Sequence, residues 1–339
     1  MKVPWIRPSR SAIEIFAPRR ALQYNEPATD ETMTQNRRHF LASSLGALAA
    51  QAAAKPAVRF ATGGYIWQDN IEEAIRTTAR FGFHGIEPFR QHILKYLDQP
   101  EALKAQFDSA GLTLVTCSNG GPMSVNLIDP AKTRQTIEDH VRFAREFLTV
   151  FGCKHFKINL GGRPNKPTTE EQLKTMAGTL NEIGRETARF GIRIAPHPHI
   201  WSPLEREHEV ERVLELTDPD LVSWVADMAQ LTLGGIDPVA IVRRHIGRLA
   251  AVHFKDTDPK YRGYRGPTPT TEEHRKVTLY RNLGAGGVDF PAIMRILRET
   301  RFEGWITLDF DPPRPGAGTI DEMLSVNKQY LIDKLHVTL

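Results

Sequence analysis

Cysteine is scarce: only Cys117 and Cys153 occur in 339 residues, far apart, inside apolar stretches and without a CxxC pairing. This excludes a disulfide framework and a zinc ribbon and leaves two buried free thiols as the expectation. An excess of one charge is missing too, since 44 Lys and Arg against 40 Asp and Glu give a formal net charge of only +4. Such a mixed surface lacks the basic stripe that tracks phosphates, so no nucleic acid partner is expected. No apolar run is long enough for a stable membrane anchor. After the first β-prone run stands Gly63-Gly64-Tyr65, without the GxGxxG spacing that an open dinucleotide-binding sheet wants. Repeats, low-complexity tracts and domain-separating linkers are likewise missing beyond Lys55, which favours one large domain.

What is present begins with an export layout. Asn36 to Ala54 read NRRHFLASSLGALAAQAAA: paired arginines, Phe and Leu, a weakly apolar run, then small residues ending in Ala-x-Ala. That order is a secretory signal. Its Arg37-Arg38-His39-Phe40-Leu41 core resembles a twin-arginine signal, whose path exports folded proteins to the periplasm or beyond. Residues 1–54 are therefore read as an N-terminal extension plus signal, with Met33 a candidate start, and residues 55–339 as the folded domain.

From Lys55 onward, β-prone runs alternate with segments of helical period. Strands are expected near Val58–Thr62, Gly85–Pro88, Leu112–Cys117, His155–Leu160, Ile192–His197, Leu221–Ala226, Leu249–Phe254 and Trp305–Asp309. Ile137, Val141, Ala144 and Leu148 fall on one helical face, as do Leu173, Met176, Leu180 and Ile183, and Phe290, Ile293 and Leu297. Parallel strands joined by crossover helices follow from that alternation. Eight such units in about 285 residues match an α/β fold of a single (β/α)8 barrel, the TIM barrel.

Barrel enzymes carry their chemistry at the C-terminal strand ends. Here the fifth strand ends in Pro196-His197-Pro198-His199, the sixth in Ala226-Asp227, the seventh in His253-Phe254-Lys255-Asp256 and the eighth in Asp309-Phe310-Asp311. Two positions before His197, Asp227, His253 and Asp309 stand Ala195, Val225, Ala251 and Thr307, all small or β-branched. Period-two alternation puts them on the same inward face, below a site where the four polar groups converge. Mixed nitrogen and oxygen ligation without thiolate suits a divalent metal such as Mn2+, Co2+, Zn2+ or Fe2+.

The pieces GIRIAPHPH, LELTDPDLVSWVAD followed by GGIDP, AAVHFKD, LGAGGVDFPAI and GWITLDFD resemble the sugar phosphate isomerase/epimerase superfamily with its xylose isomerase-like barrel. Within it the chain looks most like inosose dehydratases and their relatives. The resemblance implies a metal held at the ends of strands five to eight by Glu, Asp, His and Glu, positions that fall here on His197, Asp227, His253 and Asp309. Two of the four differ, which puts the two-glutamate epimerase mechanism in doubt. A His at the strand-five position is what the dehydratase-like relatives show. Gln230 stands where the family often has a His three residues after the strand-six Asp.

The expected activity is thus a divalent-metal-dependent lyase (dehydration or β-elimination) or isomerase on a keto-sugar, inosose or 3-oxo-glycoside, working through an enediolate. No Ser or Cys nucleophile is evident. His199, two residues past His197, is the first candidate base, with Glu87 and Lys255 as further acid/base groups. His155 begins its strand and is expected at the opposite, stability end. The long segment from Lys255 to Val288 either covers a small-molecule sugar or polyol, with Tyr264 and Arg265 addressing it, or joins copies in a homo-oligomer. Arg314, in the turn after strand eight, is a further substrate-binding candidate. Two other readings share the barrel: a secreted sugar-binding module without turnover, and an apurinic endonuclease-like metal hydrolase, which needs more ligands than are visible.

Overall fold

The structure is a computed structural model that describes residues 58–339 apart from 125–126, 164–166 and 317. The expected signal and the boundary at residue 54 lie outside the described residues. Eight parallel barrel strands are present among those described: β1 (Val58–Gly63), β2 (Gly85–Glu87), β3 (Thr113–Leu114), β4 (His155–Ile158), β5 (Arg193–Pro196), β6 (Trp224–Asp227), β7 (Leu249–Phe254) and β8 (Gly304–Leu308). Continuous pairing runs β3-β2-β1-β8-β7-β6, and β4 pairs with β5. The β5–β6 seam is bridged at Ile194 and Val222, and the β3–β4 seam by Lys157 N–H donating to the Thr116 hydroxyl at 3.3 Å.

β3 is shorter than the expected Leu112–Cys117. Val115 and Ser118 still donate to the carbonyls of Ile86 and Pro88, but Pro88 has no N–H to return, so the ladder cannot close there.

Alternation sorts the strand residues as the sequence implies. Ala61, Val115, Ala195, Val225, Ala251 and Trp305 pack together inside the barrel, while Phe254, Ile306, Val252 and Ala226 face the helices. The helices α1 (Ile71–Arg80), α2 (Pro100–Ser109), α3 (Thr133–Phe143), α4 (Glu170–Ala188), α5 (Glu207–Leu216), α6 (Met228–Leu233), α7 (Pro238–Arg244), α8 (Thr271–Lys276), α9 (Phe290–Glu299) and α10 (Ile320–Leu335) intervene. Leu173, Met176, Leu180 and Ile183 are buried along α4, and Phe290, Ile293 and Leu297 along α9, as the periodicity predicts. The expected third face is also turned inward: Ala144 and Leu148, in the turn that continues α3, are fully buried, and Ile137 and Val141 are half-buried against the same core, with Thr136, His140 and Phe143 buried beside them. Polar partners let an imidazole share that buried side: His140 Nδ1 donates to the Thr136 carbonyl at 2.6 Å, and its Nε2 accepts from Asn119 at 2.9 Å. A buried imidazole with both nitrogens satisfied is tolerated in a core that an apolar count would deny it. No helix among the described residues is long and apolar enough to cross a membrane.

Candidate metal centre and its cavity

β6 and β7 pair Asp227 with His253, and β7 and β8 pair His253 with Thr307. His197 follows β5, its N–H held by the Ile158 carbonyl at 2.9 Å, and Asp309 follows β8, its N–H held by Phe254 at 3.2 Å. The four side chains therefore meet at one end of the barrel. His197 Nε2 and His253 Nδ1 each stand 3.6 Å from Asp227 Oδ2, and His253 Nδ1 is 3.7 Å from Asp309 Oδ2.

These separations are too long for hydrogen bonds. They suit neighbouring ligand atoms that each bind one ion at about 2.0–2.2 Å. His197, Asp227 and His253 offer ligand atoms that all lie within 4.8 Å of one another. Both ring nitrogens of His197, Oδ2 of Asp227 and Nδ1 of His253 are buried without a hydrogen-bond partner among the described residues. Orphaned polar atoms gathered in one place call for a shared partner, and a divalent cation satisfies two imidazoles and a carboxylate together. The residues present thus fit a metal. Asp309 sits at the edge of the cluster, its side chain 14% exposed.

Neighbouring groups aim the ligands. Asp227 Oδ1 caps α6 by accepting from Gln230 N–H at 2.9 Å, which leaves Oδ2 facing the histidines. His253 Nε2 lies 3.1 Å from Glu87 Oε2; an ionised carboxylate only accepts, so Nε2 carries a proton, and Nδ1 is the nitrogen left facing Asp227, able to ligate an ion once its own proton is displaced. Glu87 is itself fixed by the Lys157 ammonium and the Thr307 hydroxyl, at 3.1 Å.

Electrostatics follow from this packing. Burial alone would raise the Glu87 carboxyl, but His253 and Lys157 overcome it and hold it well below its usual range. Burial would lower His253; Glu87, with Asp227 and Asp309, instead lifts it to about 10. His197, desolvated with little compensation, is pushed down to about 3 and stays neutral. Asp227 and Asp309 are ionised against the effect of burial, Asp227 by the two histidines and Asp309 by Lys255 and His253.

Above the cluster opens a cavity of about 500 Å³ whose lining includes His197, His199, Lys157, Lys255, Asp309 and Asp311. His199 Nδ1 donates to the Ile200 carbonyl at 2.6 Å, so Nε2 is the free acceptor, and burial lowers its pKa and keeps the ring neutral. Lys255 bonds Asp311 at 2.8 Å, approaches Asp309 at 3.5 Å and lies over the Tyr280 ring at 4.2 Å. Burial opposes its charge, yet those two carboxylates keep its pKa well above the ordinary lysine value.

Several expected residues are placed differently. Glu87, expected as an acid/base group, is only 1% exposed with its carboxylate engaged by Lys157, His253 and Thr307; it positions His253 beneath the cavity. Tyr264 and Arg265 line a separate hollow beside α7. Tyr264 bonds the Pro267 carbonyl and Arg265 reaches Asp237, because this stretch folds against its own neighbours. Arg314 donates to the carbonyls of His274 and Arg275 and lines an adjoining cavity. His155 begins β4, buried, with its pKa pushed down to about 4 by desolvation.

Sequence reasoning missed Lys157, His274 and Tyr280. Lys157 had a signal: a cation at period two from His155 inside an apolar strand must point inward and must be paired. His274 and Tyr280 arrive through α8 and a two-residue antiparallel pairing of Asp256–Thr257 with Tyr280–Arg281, which no periodicity announces. Asp256 explains the LGAGG motif: its carboxylate accepts from the N–H groups of Gly284, Gly286 and Val288 at 2.9–3.0 Å. A Cβ on Gly286 would stand 2.0 Å from the Thr257 carbonyl oxygen, so only glycine fits.

Comparison with known proteins agrees with this architecture. The family described as xylose isomerase-like TIM barrel matches residues 75–329. An inosose dehydratase of Clostridium botulinum is 22% identical over 290 residues, covering 80% of this chain and 91% of that protein. Among solved structures, the IolI protein with a bound zinc atom superposes with a TM-score of 0.66 at 16% identity, over 81% of this chain and 97% of the other. The 3-keto-D-glucoside 4-epimerase YcjR from E. coli gives 0.60 at 17% identity, over 81% and 97%.

Proposed function

We propose, from the premise that this chain belongs to the xylose isomerase-like TIM barrel family of sugar-modifying isomerases, epimerases and lyases, that it is a metal-dependent lyase or isomerase acting on a keto-sugar, an inosose or a 3-oxo-glycoside. The observation that carries the proposal is the group of orphaned ligand atoms on His197, Asp227 and His253, next to a sugar-sized cavity whose lining includes His197 and Asp309.

A divalent ion held by these residues with Asp309 supplies, when bound, a Lewis acid for a substrate carbonyl. The rest of the chemistry belongs to the side chains. His199, neutral and with Nε2 free, takes the proton from the carbon next to that carbonyl. Lys255, a cation between Asp309 and Asp311, donates a hydrogen bond to a substrate oxygen and stabilises the charge that develops there. His253 stays in place because Glu87 fixes its tautomer. His197 and Asp309 replace the family's two glutamates, which favours elimination over a two-base epimerisation. Export through the twin-arginine path belongs to the same proposal; it rests on the Arg37-Arg38 layout and suits an extracellular glycoside better than cytoplasmic polyol breakdown.

The test is elemental analysis of the purified protein together with a turnover screen of keto-sugars, inososes and 3-oxo-glycosides after metal loading. The expected result is about one divalent ion per chain and turnover of at least one class. Sugar binding without turnover or metal would replace this reading with that of a binding module.

A further inference from the structure

Beside the metal-centre cavity lies a second, of about 340 Å³, and the two share Tyr280 and Asp311 as a common wall. A ladder of short polar steps leads to that wall: His253 to Asp309 at 3.7 Å, Asp309 to Lys255 at 3.5 Å, and Lys255 to Asp311 at 2.8 Å.

The second cavity has a different chemistry from the first. Phe310, Pro312, Pro313, Met323 and Val326 line it, and Val326 is left 51% exposed at α10. Most of its charged and amide side chains already have a partner. Arg281 pairs with Asp258, and Arg314 donates to backbone carbonyls. Asn282 accepts from Asn327 at 2.9 Å, and Glu322 caps α10 through Thr319. A sugar ring entering there would meet few free hydrogen-bonding groups. An apolar group would remove the prolines, Met323 and Val326 from water.

We infer that this cavity is a subsite for an aglycone: the substrate is a glycoside whose keto-sugar ring sits over the metal centre and whose aryl or similarly apolar aglycone occupies the hollow beyond Tyr280 and Asp311. The inference rests on the proposed function for the identity of the sugar ring, but the cavity can be tested without turnover. It distinguishes a glycoside from a free inosose, which has nothing to place there.

The experiment is calorimetric titration of the metal-loaded full chain with methyl and phenyl β-glucosides, unoxidised so that neither reacts. Val326→Trp fills the rim of the second cavity, and Met323→Glu places a charge in it. The wild-type protein should bind the phenyl glucoside at least about tenfold more tightly than the methyl one, a ratio within reach of an apolar pocket. Both variants should bring the ratio close to one and leave methyl glucoside affinity unchanged. Equal affinities in the wild type, a ratio that survives both substitutions, or no binding of either glucoside would overturn the assignment. A phenyl preference without turnover of the corresponding 3-oxo-glucosides would instead remove the proposed reaction and leave the subsite standing.

Discussion

Glu87 and His253 lie 3.1 Å apart, carboxylate to Nε2, at adjoining levels of the barrel interior. This contact sets which histidine nitrogen is left for a metal. Removing it should therefore lower metal affinity while leaving the ligands in place. Glu87→Gln alone would strand the Lys157 ammonium, so the informative variant is Glu87→Gln with Lys157→Met. Metal competition titration should show affinity reduced about 10–100-fold, with an unchanged circular dichroism spectrum. Wild-type affinity in that double variant would contradict the positioning role.

Metal binding should also depend on pH with a definite sign. Without an ion, His253 keeps its extra proton up to about pH 10. Binding at Nδ1 displaces that proton, so apparent affinity should rise about tenfold per pH unit from 7 toward 10. His197, neutral above about pH 3, adds no slope there. The stability of the ion-free protein runs the other way. Its raised His253 contributes fully below about 6.5, the unfolded value, and that contribution fades as pH climbs through about 10. Metal affinity that is flat between pH 7 and 10 would contradict the assignment of His253 as an ion-displaceable imidazolium.

That the four candidate ligand side chains meet at one end of the barrel could be read from the sequence because each position is fixed by counting along one strand. His197, Asp227, His253 and Asp309 sit two residues beyond small, inward-facing positions, and three of those positions, Ala195, Val225 and Ala251, do pack together inside the barrel. The mouth could not be read in the same way. Tyr264 and Arg265 occupy a long connection, and which part of such a connection returns to the cavity depends on tertiary contacts. Here the Asp256 carboxylate pins the LGAGG turn and the Thr257–Tyr280 pairing brings Tyr280 back. Glu87 was placed at the correct strand end, but its partner Lys157 lies on a strand far away in sequence, so its positioning role was hidden.

Both thiols should be inert in the folded chain. Burial pushes Cys153 up to about 12 and Cys117 well above its usual value, so neither supplies thiolate at neutral pH. A disulfide-exchange reagent should label neither within the native protein's lifetime and both after denaturation. Rapid labelling of the native chain would show that one of these strand ends opens.

Replacing Arg37 and Arg38 together by Lys should hold the precursor in the cytoplasm, as cell fractionation would show. Unchanged export would remove the twin-arginine reading without touching the barrel.

If the reaction begins with removal of a proton beside a carbonyl, hydrogen isotope exchange reports that step directly. Metal-loaded protein incubated with a turned-over keto substrate in heavy water should place deuterium at the carbon next to the carbonyl, in recovered substrate or in product. Where elimination outruns exchange, the substrate deuterated at that carbon should react more slowly, and His199→Gln should abolish both signals while retaining metal. The absence of both exchange and a primary isotope effect, under conditions where chemistry limits turnover, would contradict proton removal as the first step.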